Sequence, residues 1–148
     1  MKKVGGTNRI LKASEQLQNS LDAMGSNQQC PAGSVLFRED GNSVGVYLVR
    51  KGKVRMSVRG LPHLDRDFAA GSLLGLPATF TGHAYSLTAV TLVESVILHV
   101  PRDKFLRLMH ERPDLCREAT DMLGREVTFI QSALAQRRRQ LADVATAV

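Results

Sequence analysis

A mainly β domain with helices at both ends is the fold class the sequence predicts, and three observations predict it. Between Cys30 and Pro101, short apolar runs alternate with glycine-marked turns, the pattern of an antiparallel barrel or sandwich. Ahead of that stretch, apolar residues recur at helical spacing. Behind it, after Pro113, a heptad of apolar positions runs nearly to the end of the chain.

The leading helix is expected over about Asn8 to Met24, with Ile10, Leu11, Ala13, Leu17, Leu21 and Met24 on one face and Gly25 as its stop. Strands are then expected at Val35-Leu36-Phe37, at Val44 to Val49, at Val54 to Val58 and within Tyr85 to Val100. The turns between them carry Gly33, Gly41, Gly52, Gly60 and Gly71, of which Gly33, Gly41, Gly52 and Gly71 are expected to take corner conformations with positive φ. Pro77 interrupts the β-pattern, so Leu76 to Phe80 reads as one short helical turn. Phe105, Leu106, Leu108 and Met109 mark a helix that Pro113-Asp114 ends, and the same pair starts the next one.

In that last helix Leu123, Ile130, Arg137 and Val144 form one seven-residue row. Val127, Leu134, Leu141 and Val148 form a second. Interleaved, they make a seam that two helices can bury between them, with Arg137 as its weak point. Leu123, Val127, Ile130, Leu134, Leu141 and Val144 are therefore the candidate dimer interface. Residues 8–112 are expected to form the β domain with its flanking helices, and 113–148 the dimerisation helix.

The 148 residues suit one domain with a hydrophobic core. A net charge of +6 and a pI near 9.8 favour acidic partners. The basic residues, however, gather at the ends, at Lys2, Lys3, Arg9 and Lys12 and at Arg137, Arg138 and Arg139, as solvated helix faces do. Cys30 and Cys116 stand far apart and outside any ligand spacing, which argues for thiols in a reducing cytosol and against a metal site. No apolar run nears the ~20 residues that cross a bilayer, and no apolar stretch follows Met1-Lys2-Lys3, so a cytoplasmic protein is expected.

Several stretches carry a resemblance. Pro31-Ala32-Gly33-Ser34-Val35-Leu36-Phe37, Asp40-Gly41, Val46-Tyr47-Leu48-Val49, Lys51-Gly52-Lys53-Val54-Arg55, Ala70-Gly71-Ser72-Leu73-Leu74-Gly75 and Val100-Pro101-Arg102-Asp103-Lys104-Phe105 follow one another at suitable spacing. Together they resemble the cyclic-nucleotide-binding domain superfamily, in particular the sensory domain of Crp/Fnr regulators. The resemblance implies a β-roll (a double-stranded, jelly-roll-like β-helix) with an N-terminal helix and a long C-terminal dimerisation helix. It also implies a ligand cassette at Leu74, Gly75, Leu76, Pro77, Ala78, His83, Ala84, Tyr85 and Ser86.

That cassette departs from the family pattern where the ligand is held. Relatives that bind cyclic AMP or cyclic GMP place a glutamate after the cassette glycine and an arginine further on; this chain has Leu76 and, at the arginine position, His83. From Asp67 to Pro101 there is no Arg or Lys. Two lost charge-assisted hydrogen bonds, at roughly 1.5–3 kcal/mol each, weaken binding by about a hundredfold to ten-thousandfold. A cyclic nucleotide is thus not the expected effector, and a true cyclic-AMP- or cyclic-GMP-binding signalling domain of a transcriptional regulator, using backbone contacts and His83, is the alternative. Leu73, Leu74, Leu76, Pro77, Ala78, Phe80, Tyr85 and Leu87 instead suggest an apolar cavity. A small apolar effector, or haem with His83 as axial ligand, stays open beside a ligand-free scaffold.

Crp/Fnr regulators carry a DNA-binding domain after the long helix. This chain reaches Val148 within or just past that helix, so sequence-specific DNA binding by these residues is not expected. No nucleophile elbow, phosphate loop, H-E-x-x-H or aspartate-rich metal loop occurs, and His63, His83, His99 and His110 form no ligand pairs by spacing, so neither an enzyme nor a metal site is expected.

Overall fold

The computed structural model describes residues 10–147. Lys2, Lys3, Arg9, the expected helix start at Asn8 and the last heptad position, Val148, lie outside the described residues.

The first helix, α1, covers Glu15–Asp22 and is shorter than its periodicity predicts. Ser14 caps it, its Oγ accepting the Leu17 N–H at 3.1 Å. Upstream, the backbone goes to a sheet edge instead of a helix. Leu73 N–H donates to the Leu11 carbonyl at 2.9 Å, and Ala13 N–H to that of Gly71 at 2.8 Å. Leu11 and Ala13 are buried with Lys12 exposed between them, the two-residue alternation of extended chain.

Eight strands follow: β1 (Ser26–Cys30), β2 (Val35–Phe37), β3 (Gly45–Lys51), β4 (Lys53–Ser57), β5 (Arg66–Ala69), β6 (Leu73–Leu74), β7 (Thr88–Thr91) and β8 (Ser95–Pro101). They form two antiparallel four-stranded sheets, ordered β1-β8-β3-β6 and β2-β7-β4-β5. Apart from the β4–β5 pair, neighbouring strands are non-consecutive, the interlaced order of the β-roll. The run expected between Tyr85 and Val100 splits into β7 and β8. Polar β1 has no apolar signature, yet it pairs along its whole length with β8, Asn27 opposite Leu98 and Cys30 opposite Ser95.

The core between the sheets holds Leu48, Met56, Phe68, Leu74, Ile97 and Leu98, all fully buried. Gly33, Gly52 and Gly71 take positive φ, but at the Asp40-Gly41 turn the left-handed residue is Asp40, a side chain that tolerates this region. Gly45, at the start of β3, sits against paired-strand backbone. Its φ is +140°, and a Cβ there would overlap the Val100 carbonyl oxygen of the paired strand. Gly45→Ala is expected to cost at least ~1–3 kcal/mol from the backbone conformation alone, with the steric overlap on top. A chemical denaturation midpoint equal to wild type would contradict this.

Two further helices complete the chain after α2 (Leu76–Thr81): α3 (Arg102–Glu111) and α4 (Pro113–Ala147). The first half of α4 is clamped to the domain. Glu118 accepts from the Ser14 N–H and hydroxyl at 2.7 Å each, Arg125 Nε donates to the Ile10 carbonyl at 2.7 Å, and the Arg66 guanidinium sits 5.7 Å from the Phe129 ring centre. Leu115, Ala119 and Met122 face the core. From Arg138 to Val144, by contrast, every residue is exposed. No helix among the described residues is long and apolar enough to cross a membrane.

Candidate functional site

The cassette is built on a sharp reversal. β6 pairs Leu74 with Tyr47 and Leu73 with Leu48 of β3. Gly75, at φ +91°, then turns the chain into α2. Thr79 Oγ1 donates back to the Gly75 carbonyl at 2.8 Å, and Gly82 closes the helix in a left-handed conformation. Arg102 Nε donates to the Thr79 carbonyl at 2.8 Å, so this cation serves the carbonyl end of α2, away from Gly75.

Tyr85 carries the return strand inward. Its hydroxyl donates to the Gly45 carbonyl at 2.8 Å and accepts the Val44 N–H at 3.1 Å. Its ring stacks on Phe37 with centres 4.1 Å apart, and Phe37 leans on Tyr47 at 5.6 Å. Burial, with Tyr85 adding to it, pushes the Tyr47 phenol up to about 12. Tyr47 is therefore neutral at physiological pH.

Of the predicted cassette residues, Gly75, Pro77, Ala78, Tyr85 and Ser86 converge on one cavity, together with Phe37, Leu87, Glu126 and Ile130. Leu74 and Leu76 do not line it: both side chains are fully buried in the core. His83 and Ala84 are exposed on the loop and also stand outside the lining. The apolar effector cavity expected from these residues is corrected in size. It measures about 10 Å³, room for no more than one water. The apolar side chains pack into the core as interiors do, and α4 fills what is left. A haem does not fit this space, and exposed His83 does not point an axial ligand into it. His99, on β8, is a strand residue whose Nε2 lies 3.1 Å from the Val44 carbonyl.

Glu126 is the residue that sequence reasoning misses. It is 2% exposed and reaches the cavity from α4. Burial pushes its carboxyl up to about 8, while the backbone N–H groups of Leu76 and Gly75 pull the other way. Among the described residues its Oε1 has no hydrogen-bond partner. The heptad rows put Glu126 beside Val127 as a flanking charge. The better signal is a different stripe: Leu115, Ala119 and Met122 are buried at four- and three-residue steps, and Glu126 is the next position. An acid on an apolar stripe marks a polar site at the helix's inner face.

The predicted dimer residues divide along α4. Ile130 is packed into the domain core and walls the cavity, and Leu123 and Val127 are half-buried. Leu134, Leu141 and Val144 are exposed, at 41%, 63% and 64%. Arg137 lies beside Gly60 of the β4–β5 connection, which turns its side chain back toward the β-roll. Cys30 is buried, which pushes its thiol up and lowers its reactivity, and Cys116 is half-buried; both are free. Among the described residues no group of three or more His, Cys, Asp or Glu is placed to hold a metal.

Comparisons with known proteins agree with this architecture. No curated protein sequence matches the chain. Among solved structures, the catabolite activator protein of Thermus thermophilus is 21% identical with a TM-score of 0.56, covering 90% of this chain and 59% of that one. The c-di-GMP responsive global regulator CLP of Xanthomonas campestris is 15% identical with a TM-score of 0.67, covering 87% of this chain and 65% of its own. A transcriptional regulator of Thermotoga maritima is 14% identical with a TM-score of 0.67, covering 79% and 94%. This chain thus spans less than two thirds of the first two. At these identities the likeness establishes the fold. The cyclic nucleotide-binding domain family matches residues 27–112, more than half of the sequence. With that match, the chain belongs to the cyclic nucleotide-binding domain family.

Proposed function

We propose that the chain is a non-enzymatic, cytoplasmic sensing module of the Crp/Fnr type that dimerises through 113–148 and answers to an effector other than a conventional cyclic nucleotide. The observation that carries the second half is the cavity. Among the described residues its lining holds no Lys or Arg, and its one carboxyl group is that of Glu126. A cyclic phosphate brought there meets a carboxyl group where it needs a cation. The overhang of α4 supports the first half, since Leu134, Leu141 and Val144 are large apolar side chains left exposed on one helix.

Calorimetry tests the effector reading. Cyclic AMP and cyclic GMP are expected to give no binding heat at millimolar concentration; micromolar binding of either overturns it. Cyclic di-GMP belongs in the same series, because one structural neighbour is described as responsive to it. The cavity of about 10 Å³ also favours a second reading, a dimerisation scaffold with no ligand. A small molecule that co-purifies and is identified by mass spectrometry counts against the scaffold.

A further inference from the structure

We propose that Glu126 determines the ligand specificity of this pocket, barring phosphate-bearing molecules and directing the site to a small ligand that presents a cation to the carboxylate and a flat apolar body to the Phe37–Tyr85 wall. The inference rests on the cassette being the effector site, as argued above.

Three features of the cavity point the same way. Among the described residues the buried Oε1 of Glu126 has no hydrogen-bond partner, and once the carboxyl ionises it is an acceptor that a ligand N–H or cation would satisfy. The walls beside it are aromatic and apolar: Phe37 and Tyr85 stacked 4.1 Å apart, then Pro77, Leu87 and Ile130. Finally, among the described residues the cavity lining brings no other charged side chain to the carboxyl. The residues of α2 carry no titratable side chain, β2 contributes Phe37, and the Tyr85 phenol already bonds Gly45 and Val44. On α4 itself the adjacent Arg125 is turned to the Ile10 carbonyl. A carboxyl in these surroundings holds its proton near neutrality, and an arriving cation displaces that proton to solvent and takes its place as the compensating charge.

A ligand of this kind requires the site to open. At about 10 Å³ the cavity admits no ligand until a wall gives way. Of its walls, Ser86 is exposed on the loop and Ile130 lies on α4. Ile130 is also a residue of the heptad row, so entry of a ligand would shift the helix that carries the exposed apolar seam.

The test uses the full ¹⁵N-labelled chain and Glu126→Gln, which keeps the shape of the protonated acid and therefore the fold. The probes are benzamidinium, its neutral isostere benzamide, and cyclic AMP. Benzamidinium is expected to shift the amide resonances of Gly75, Leu76 and Ser86 at pH 8.5. Its binding should weaken about tenfold or more at pH 6.0, where the acid is protonated, and vanish in Glu126→Gln. Benzamide is expected to leave those resonances in place. Absence of any shift with benzamidinium at pH 8.5, equal binding to Glu126→Gln, or equal binding of benzamide each overturns the proposal. Shifts of the same amides by cyclic AMP would instead overturn the effector reading above, so the two failures are distinguishable.

Discussion

Glu126→Gln is expected to remove the largest pH dependence of stability in this protein. In the unfolded chain a glutamate titrates near 4.5, and in the fold burial pushes this one up to about 8. The native state therefore holds a proton that the unfolded state has released over that interval. Stability linked to Glu126 is complete below about 4.5, falls as pH rises, and is lost once the carboxyl ionises near 8. The slope within the window approaches about 1.4 kcal/mol per pH unit. Urea midpoints measured at half-unit steps from pH 5 to 9 should decline in wild type and stay level in Glu126→Gln. A wild-type curve that rises or stays flat across this range would sink the assignment. The direction is opposite to that of a salt-bridged carboxylate, whose contribution grows with pH, so the experiment separates a buried neutral acid from an ion pair.

The second large effect concerns assembly. Leu141 is 63% exposed on an α4 segment that touches little of its own domain, so its burial in a partner would remove apolar surface that the monomer leaves wet. Burying one leucine contributes about 1.5–3 kcal/mol, and a two-fold interface buries it twice. Leu141→Ser is thus expected to raise the dimer dissociation constant about a hundredfold or more. Sedimentation equilibrium of wild type and variant measures it. The domain's melting temperature in the dissociated state should not change, because the substitution lies beyond the clamps at Glu118, Arg125 and Phe129. A wild type that stays monomeric at high concentration would remove the seam as an interface. The seam's first half has another claim on it, since Ile130 is already buried in its own domain.

Most of the β-roll was legible because its signals are local. Glycine-marked corners between apolar runs reveal strand ends, and Pro77 after Leu76 reveals the short α2. What went unread lacked a local signal. Polar β1 is a strand only because β8 offers it a full ladder, and Ile10 to Ala13 leave the helical pattern because Gly71 and Leu73 take up their backbone groups. The site was legible in outline only. The sequence identified the cassette and its missing arginine, but not which of its side chains face a cavity.

The sequence alone determined the family, the order of elements and the absence of cationic side chains from Asp67 to Pro101, since each depends on residue type and spacing. Tertiary structure alone decided that the cassette closes to about 10 Å³ and that Glu126 is the acid inside it. The reason is geometric. A charge on a long helix reads as solvated until the helix is docked, and only the docking of the first half of α4 on the β-roll buries Glu126 while leaving Leu141 and Val144 outside.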